Sequence, residues 1–239
     1  MKSEFEYCVI IPAFKKSSTI SDVLISIRET LAKLEKPFQI ILVCDGEVDD
    51  TANIAHNLNF SELSIVSYPH NRGKGYAIRT GAKEAFAKNL IFIDADLDIP
   101  HQGIFRLIEI FIEKEADLVI GSKSHPESQI FYPPMRRLMS YCYRKTVRIL
   151  FSLQINDTQT GMKIVRASAY REVLPNLKID GFACDLEMII AFKKFGYLIL
   201  EGPINLAFQH NSTLRLKSTL QMLRATFVLF LNSHKSRNR

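Results

Sequence analysis

Carboxylates alternate with apolar residues at Asp94, Asp96 and Asp98, directly after the apolar run 90–93. The run is typical of a strand buried on both faces of a parallel sheet, so we expect Asp94 at its carboxyl end. Ligands bind at that edge of open α/β sheets. Crowded carboxylates repel one another there unless a divalent cation lies between them, and Mg²⁺ or Mn²⁺ takes oxygen ligands from carboxylates and phosphates. The segment therefore predicts a metal and diphosphate site; the alternative is aspartates that only end a strand.

The elements that must position these carboxylates alternate between strand-like and helix-like runs through the first half of the chain. We predict strands at 7–13, 38–44, 63–68, 90–94 and 117–121. Apolar residues with helical spacing lie at 19–34, 50–58, 75–88 and 103–114. This order predicts βαβ units and an α/β fold with a mainly parallel sheet. Ser17 or Ser18 is expected to cap the first helix, and Asp49 the second.

Length and composition bound the class of protein. The chain has 239 residues, of which 47% are apolar and 23% charged, as in one large α/β domain. No run is long and apolar enough to span a bilayer, and the start lacks the layout of a signal peptide, so we expect a cytosolic location. The cysteines occur singly in apolar stretches and are expected to be reduced and buried. They are Cys8, Cys44, Cys142 and Cys184.

Charge and the second half of the chain point to an anionic partner. The formal net charge is +6 and the sequence pI is about 9.1, which fits a nucleotide, a nucleic acid or an anionic membrane. A basic helix is predicted to open at Pro133-Pro134 and to run to about Leu153, with Arg136, Arg137 and Arg144 among apolar and aromatic residues. It suits a membrane interface, or equally a surface helix that packs on the sheet. Residues 216–231 are a second amphipathic candidate, too interrupted to span a membrane.

An ordered set of motifs resembles the signature of glycosyltransferase family 2, the inverting GT-A enzymes that use nucleotide sugars. The motifs are Val9-Ile10-Ile11-Pro12-Ala13-Phe14, Val43-Cys44-Asp45-Gly46-x-x-Asp49-Asp50-Thr51, Asn71-Arg72-Gly73-Lys74-Gly75 and Asp94-Ala95-Asp96. Residues 157–163 (DTQTGMK) and 181–187 (GFACDLE) resemble the polyprenyl-phosphate branch, typified by dolichyl-phosphate glucosyl- and mannosyltransferases. The resemblance implies a GT-A fold, with a mainly parallel Rossmann-like sheet flanked by helices. We expect this domain at 1–215, followed at 216–239 by a C-terminal amphipathic helix and a basic tail.

The resemblance also implies where a nucleotide sugar binds. The loop after the first strand, with Pro12 and Phe14, would hold the base and ribose together with Asp45. A carboxylate there accepts hydrogen bonds from a uracil N–H or a ribose hydroxyl. Arg72 and Lys74 flank glycines that let the backbone approach a ligand, so we expect them to meet the diphosphate. The alternative interpretation is that Arg72 and Lys74 are solvated charges that precede a helix and bind no ligand.

The three aspartates receive different roles from the resemblance. Asp96 is expected to bind Mg²⁺ or Mn²⁺ directly. Asp94 would bind the ribose, or the metal through water, and Asp98 is a third metal ligand. The ion would neutralise charge that develops on the departing diphosphate.

The acceptor decides whether a general base is needed. A phosphate acceptor is already an anion at neutral pH, whereas a hydroxyl acceptor has to lose a proton. Asp185, at a predicted helix start, is either that base or a residue that caps the helix and orients sugar hydroxyls. Lys123 and Arg215 are expected, with the basic helix, to bind a lipid phosphate.

These features predict a peripheral enzyme at the cytoplasmic membrane face that moves glucose or mannose from UDP-glucose or GDP-mannose to a polyprenyl phosphate. A separate membrane-anchoring subunit is an additional candidate partner. One alternative is transfer to a saccharide or protein hydroxyl. Another is a weakly catalytic nucleotide-sugar-binding subunit, because Lys15-Lys16 stands where family members commonly carry Asn-Glu. No nucleic-acid partner is expected since no binding motif is present, and the absence of Gly-x-Gly-x-x-Gly after the first strand disfavours a dehydrogenase.

Overall fold

The described part of the chain is built around one seven-stranded sheet. The computed structural model describes residues 5–128, 134–206, 224 and 226–230, with 134–140 described by their backbone alone. The strands are β1 Phe5–Ala13, β2 Phe38–Asp45, β3 Leu63–Tyr68, β4 Ala87–Phe92, β5 Leu118–Ser122, β6 Lys163–Arg166 and β7 Ile199–Pro203. The helices are α1 Ile20–Ala32, α2 Thr51–His56, α3 Lys74–Lys83, α4 Gly103–Glu113, α5 Pro134–Phe151, α6 Ala167–Val173 and α7 Cys184–Lys194.

The order of the strands is β3-β2-β1-β4-β6-β5-β7, and neighbouring strands are parallel except where β6 pairs with β4 and β5. Ile10 of β1 lies beside Ile41 of β2 and Phe92 of β4, and the strands are parallel, so their carboxyl ends point to the same edge of the sheet. The antiparallel β6 begins at this edge, since Lys163 pairs with Phe92 and Ile120. We call it the carboxyl edge of the sheet. It is the edge at which α/β proteins bind ligands.

The core lies on both faces of the sheet. Ile10 and Ile41 point to one face, where they belong to the cluster that includes buried side chains of α3, α6 and α7. Val9 and Ile40 point to the other face and share a cluster with α1 and α4. Full burial of such a side chain contributes about 1.5–3 kcal/mol. Burial on both faces explains why the strands read as continuous apolar runs.

Two boundaries around β4 differ from the prediction. The predicted helix at 75–88 is too long, because α3 ends at Lys83 and β4 already begins at Ala87. Ala87 pairs with Phe5 of β1, and its burial in the sheet overrides the helical spacing of the sequence. The strand ends at Phe92, so Asp94 lies two residues beyond it. The short strands β6 and β7 were not predicted.

The residues that precede the first two helices also differ from those predicted. Thr19 precedes α1 in place of Ser17 or Ser18, and Asp50 precedes α2 in place of Asp49. Neither makes a side-chain cap hydrogen bond. The Asp49 carboxylate accepts the backbone N–H of Thr51, the first residue of α2, at 3.2 Å. It also accepts the backbone N–H of Ser17 at 3.0 Å, which ties the loop after β1 to the loop after β2.

The cysteines are free, and three of the four are buried as predicted. The exception is Cys142, which is exposed because it lies on the solvent side of the amphipathic helix α5. Burial raises the pKa of Cys8 to about 12. Burial, followed by the charges of Asp49 and Glu47, raises the pKa of Cys44 to about 11. A thiol with such a pKa is inert at neutral pH.

The helix α5 covers the predicted basic segment and has two different sides. Val147 is buried and Phe151 packs against the core, whereas Tyr141 and Ile149 are exposed. Residues 224 and 226–230 are helical; the other residues of the predicted C-terminal helix and the expected domain boundary lie outside the described residues. Among the described helices, none combines the length and apolar character that a membrane crossing requires.

Candidate active site

Four charged side chains form a network at the carboxyl edge of the sheet. Lys74 begins α3, Asp94 follows β4, Lys163 begins β6 and Asp185 lies in the first turn of α7. The paired nitrogen and oxygen atoms are 2.7–3.1 Å apart. We call these four residues the charge network. It joins segments that are far apart in the sequence into one site.

Lys74 connects two carboxylates of the network. Its Nζ lies 2.7 Å from Asp94 Oδ1 and 3.1 Å from Asp185 Oδ2. Burial lowers the pKa of Lys74, but the charges of Asp185 and Asp94 outweigh it and hold the pKa well above its usual value. The side chain is therefore a fixed ammonium, which can neutralise an anion at this position.

Asp185 is held by two lysines. Its Oδ1 accepts a hydrogen bond from Lys163 Nζ at 2.7 Å, and its Oδ2 accepts one from Lys74. Burial raises the pKa of the Asp185 carboxyl, but the charges of Lys163 and Lys74 outweigh burial and lower the pKa below its usual value. A carboxylate with a lowered pKa is a weak proton acceptor at neutral pH. Asp185 is therefore better suited to orient the two lysines than to remove a proton from a substrate.

Gly161 makes room for the Asp94 carboxylate. A Cβ atom on residue 161 would lie 2.1 Å from Asp94 Oδ2, which is an impossible contact. The glycine thus lets the segment between α5 and β6 pass directly against the segment after β4. Two of the sequence motifs, 94–96 and 157–163, meet at this point.

Asp96 and Asp98 lie beside the network. Asp96 Oδ1 accepts the backbone N–H of Asp98 at 3.2 Å. Burial, followed by the charges of Asp94 and Asp98, raises the pKa of Asp96. The three predicted ligands therefore lie close enough together for their charges to repel.

The metal site predicted from these aspartates is incomplete as a protein cage. No group of three or more His, Cys, Asp or Glu side chains within the described ranges is arranged to hold a metal ion. One reason is that Asp94 pairs with Lys74. The remaining carboxylates still fit a divalent ion, because a cation beside Asp96 would offset the burial and the neighbouring carboxylate charges that raise the pKa of Asp96. Mg²⁺ commonly takes only one or two carboxylates from a protein and completes its shell with water and substrate phosphates.

Asp45 is buried at the end of β2 and shapes the loop that precedes α3. Its Oδ1 accepts from Tyr68 Oη at 2.9 Å and from the backbone N–H of Arg72 at 2.7 Å. Its Oδ2 accepts from Asn71 Nδ2 and from the backbone N–H of Gly73, both at 2.9 Å. Each carboxylate oxygen has two lone pairs, so these four donors occupy the full hydrogen-bonding capacity of Asp45. A nucleotide could bond to Asp45 only by replacing one of them.

Arg72 is exposed beside this loop and lies over an aromatic ring. Its guanidinium carbon is 3.7 Å from the centre of the Tyr76 ring, and Tyr68 meets the same ring edge-on at 5.3 Å. A cation over an aromatic face is attracted by the ring, so the side chain is held in place. Arg72 therefore presents a fixed positive charge at the carboxyl edge, where the sequence predicted a contact with diphosphate.

The loop after β1 contains the other residues expected to bind the nucleotide. Pro12 is half-buried near the end of β1, and Phe14 is exposed. Lys15 adopts a left-handed backbone conformation with φ of 54°, and its Nζ lies 5.4 Å from the centre of the Phe14 ring. The backbone N–H of Lys16 donates to Thr51 Oγ1 at 3.0 Å, which fixes the loop to the start of α2.

Lys123 lies on the other side of the network, after β5. Its backbone N–H donates to Asp157 Oδ2 at 3.0 Å, and its Nζ is 3.7 Å from the same oxygen. Arg144 of α5 donates to the Ser124 hydroxyl and so reaches the same loop. Arg215 lies outside the described residues, and the side chains of Arg136 and Arg137 are not described. Lys123 and Arg144 are the described cations that the structure brings together here.

Three contributors to the site were not predicted from the sequence. Lys163 stood in a recognised motif but received no role, since nothing in the sequence shows that it pairs with Asp185. Glu187 accepts the backbone N–H of Ile179 at 2.9 Å, and Arg79 donates to the carbonyl of the same residue at 2.7 Å. Together they fix the segment that leads into α7. For Glu187, the signal in the sequence was its position two residues after Asp185, the candidate site residue.

The fold and this site define a class: an α/β protein with carboxylates and lysines at the ligand-binding edge of its sheet. The family follows from the sequence, because the model of Glycosyl transferase family 2 matches residues 8–174. The chain belongs to this family, as its motifs predicted. The fold class is likewise confirmed as the GT-A type.

Relatives with known names share about a quarter of their residues with the chain. A dolichyl-phosphate beta-glucosyltransferase of Trichomonas vaginalis is 26% identical over 238 residues, which cover 92% of this chain and 69% of the relative. The protein of the same name from Saccharomyces cerevisiae is 26% identical over 221 residues, covering 82% of this chain and 65% of the relative. The chain thus spans about two thirds of the length of these relatives.

Solved structures share the fold. Glucosyl-3-phosphoglycerate synthase from Mycobacterium tuberculosis, in complex with Mn²⁺, uridine diphosphate and glucosyl-3-phosphoglycerate, superposes with a TM-score of 0.70 at 20% identity, covering 95% of this chain and 80% of that chain. Mannosyl-3-phosphoglycerate synthase from Rubrobacter xylanophilus gives a TM-score of 0.69 at 16% identity, covering 98% and 75%. At these identities the likeness concerns the fold alone.

Proposed function

We propose that the protein is an inverting glycosyltransferase that moves a hexose from a nucleotide diphosphate sugar to a polyprenyl phosphate. Membership of glycosyltransferase family 2 supports the reaction class. The names of the two dolichyl-phosphate glucosyltransferases support a phosphate acceptor and favour glucose as the sugar. The complex of the Mycobacterium tuberculosis synthase with Mn²⁺ and uridine diphosphate makes UDP-glucose the first donor to test, with GDP-mannose as the second.

The observation that carries the proposal is the pairing of Asp185 with Lys74 and Lys163. Inversion with a hydroxyl acceptor needs a base, and the candidate base Asp185 has a lowered pKa and both carboxylate oxygens in hydrogen bonds. A phosphate acceptor arrives as an anion and needs no base. The charge network therefore favours a phosphate over a saccharide or protein hydroxyl.

On the donor side, cations of the chain face the diphosphate. Arg72 and Lys74 would bind and orient it, and both flank Gly73, whose φ of 101° gives the loop its turn. A bound Mg²⁺ or Mn²⁺, held by Asp96 and Asp98, would supply further neutralisation of the leaving diphosphate. Asp94 would then turn to the ribose or to a metal-bound water. Pro12 and Phe14 would enclose the base, beside the loop that Asp45 shapes.

On the acceptor side, Lys123 and Arg144 would hold the lipid phosphate. Arg144 lies on α5, which also carries exposed apolar side chains, so the same helix can touch a membrane surface and reach the site. Cationic residues near an anionic surface contribute about 1 kcal/mol each to such docking. We accordingly propose that the protein acts at a membrane surface, with residues 1–215 as the catalytic domain and 216–239 as an added amphipathic segment.

The test compares two classes of acceptor in wild type and Asp185→Asn. With a short polyprenyl phosphate, we expect transfer from UDP-glucose in the presence of Mn²⁺, and we expect the variant to keep much of the single-turnover rate. A base would show a loss on the order of a hundredfold to ten-thousandfold. Transfer to a sugar hydroxyl but to no lipid phosphate would contradict the proposal. Nucleotide binding without any transfer would instead support a binding subunit.

A further inference from the structure

Lys163 is the member of the charge network that has no role in the proposed reaction. Its side chain is fully buried, at 0% exposure. It donates to the carbonyl oxygen of Thr160 and to Asp185 Oδ1. A buried ammonium is costly unless it is paired, and an apolar side chain would fill the same volume between β4 and β5 more cheaply. Packing alone therefore does not explain why a charged residue occupies position 163.

The division of charge in the network supplies that reason. Asp185 has a cation on each oxygen, whereas Lys74 has a carboxylate on each side. If Lys74 leaves, Asp185 still has Lys163. If Lys163 were absent, the departure of Lys74 would strand a buried and unpaired carboxylate, which is strongly unfavourable.

The two lysines also differ in their access to a ligand. The Lys74 side chain is 13% exposed and begins α3 at the carboxyl edge, while Lys163 has no exposed surface. Only Lys74 can therefore reach a bound molecule without a rearrangement of the strands.

We propose that Lys163 is a positioning residue, which keeps the Asp185 carboxylate paired while the Lys74 ammonium moves onto the donor's diphosphate. The inference rests on the proposed function, because that function brings a diphosphate to Lys74. Lys163 contacts no substrate and acts through Asp185.

The first test is the affinity for UDP in the presence of Mn²⁺, measured by titration calorimetry on Lys163→Met. Without Lys163, Lys74 is the remaining cation that pairs with Asp185, so its movement onto the diphosphate would leave a buried carboxylate unpaired. We therefore expect UDP to bind at least about tenfold more weakly. The matched control is Lys88→Met, which removes an exposed lysine paired with Glu6 at 3.1 Å, away from the site. We expect the control to bind UDP like wild type. Equal affinity in Lys163→Met and wild type would overturn the inference.

The second test removes both partners of the buried pair. In Lys163→Met/Asp185→Asn no carboxylate at 185 needs Lys74, so the UDP affinity should recover most of what Lys163→Met loses. The double variant also carries the test if Lys163→Met does not fold, because it leaves no unpaired buried charge. A double variant that folds but binds UDP at least tenfold more weakly than wild type would show that Lys163 does not act through Asp185.

The outcomes separate this inference from the proposed function. If wild type binds neither UDP nor GDP with Mn²⁺, the proposed function fails and the inference with it. If wild type binds UDP and Lys163→Met binds it equally well, only the inference fails.

Discussion

The two sides of the site satisfy their charges in different ways. On the proposed nucleotide side, residues 5–98, the buried Asp45 carboxylate accepts its hydrogen bonds from Tyr68 and the adjoining loop. On the proposed acceptor side, residues 118–206, Asp185 pairs with two lysines, and one of them, Lys74, is 111 positions away in the sequence. Neutral donors that are fixed by the fold make a rigid loop. Ion pairs, in contrast, can be exchanged for the charges of a ligand, so the charge network is the part of the site that can rearrange.

The largest effect is expected where the nucleotide side would hold a metal. Asp96→Asn keeps the shape of the side chain but removes the charge that binds a divalent ion, so turnover should fall by about a hundredfold to a thousandfold. The measurement is the rate of transfer as a function of Mn²⁺ concentration. Asp22→Asn, an exposed change in α1, is the control and should leave the rate unchanged. Unaltered turnover of Asp96→Asn at limiting metal would remove Asp96 from the ligands.

A second large effect is expected in the rigid loop. Asp45→Ala leaves buried donors without an acceptor, so the free energy of unfolding should fall by about 3 kcal/mol, and UDP should bind more weakly even without metal. Tyr68→Phe removes only one of the four donors and should cost about 1 kcal/mol. Urea unfolding and UDP titration measure both quantities. A stable Asp45→Ala with unchanged UDP affinity would show that this loop neither depends on Asp45 nor serves the nucleotide.

The same contrast explains what the sequence could predict. The parallel strands follow from local patterns in the sequence, so the fold class and the family were predicted correctly. The binding roles of the cluster 94–98 stay a prediction. The four hydrogen bonds that fill the Asp45 carboxylate were not predicted, because three of them depend on the path of the 71–73 loop. The ion pair of Lys163 and Asp185 was not predicted for another reason. The antiparallel strand β6 places Lys163 beside Asp185, and β6 is only four residues long, too short for the sequence pattern to indicate it. Long-range ion pairs carry no signal in the spacing of residues.

Two acids of α7 should respond to pH in opposite directions. The lysines lower the folded-state pKa of Asp185, so its contribution to stability is present above its unfolded pKa of about 3.9 and is lost as the pH falls through the folded value. Burial raises the pKa of Glu187 and outweighs the N–H bonds from Lys178 and Ile179. The folded state then binds more protons than the unfolded state, so Glu187 favours folding increasingly as the pH falls toward about 4.3.

Urea unfolding between pH 7 and pH 3 checks this contrast. The stability difference between wild type and Asp185→Asn should be greatest at neutral pH and shrink below about pH 4. The difference between wild type and Glu187→Gln should instead move in favour of wild type as the pH falls. Parallel trends in the two variants would mean that the lysines do not govern the charge of Asp185.

The smallest effect is expected at the proposed membrane-docking face of α5, where single exposed charges act through water. Arg148 is exposed next to the exposed Ile149, and its replacement in Arg148→Gln should weaken binding to phosphatidylserine vesicles by about 1 kcal/mol, or about fivefold. Arg106→Gln on α4 is the control, because it removes an exposed arginine away from α5 that already pairs with Glu109. The difference should vanish at high salt, since salt screens charge attraction but not apolar insertion. Equal binding of Arg148→Gln and wild type at low salt would place the docking surface elsewhere, with the exposed Phe227 as the next residue to replace.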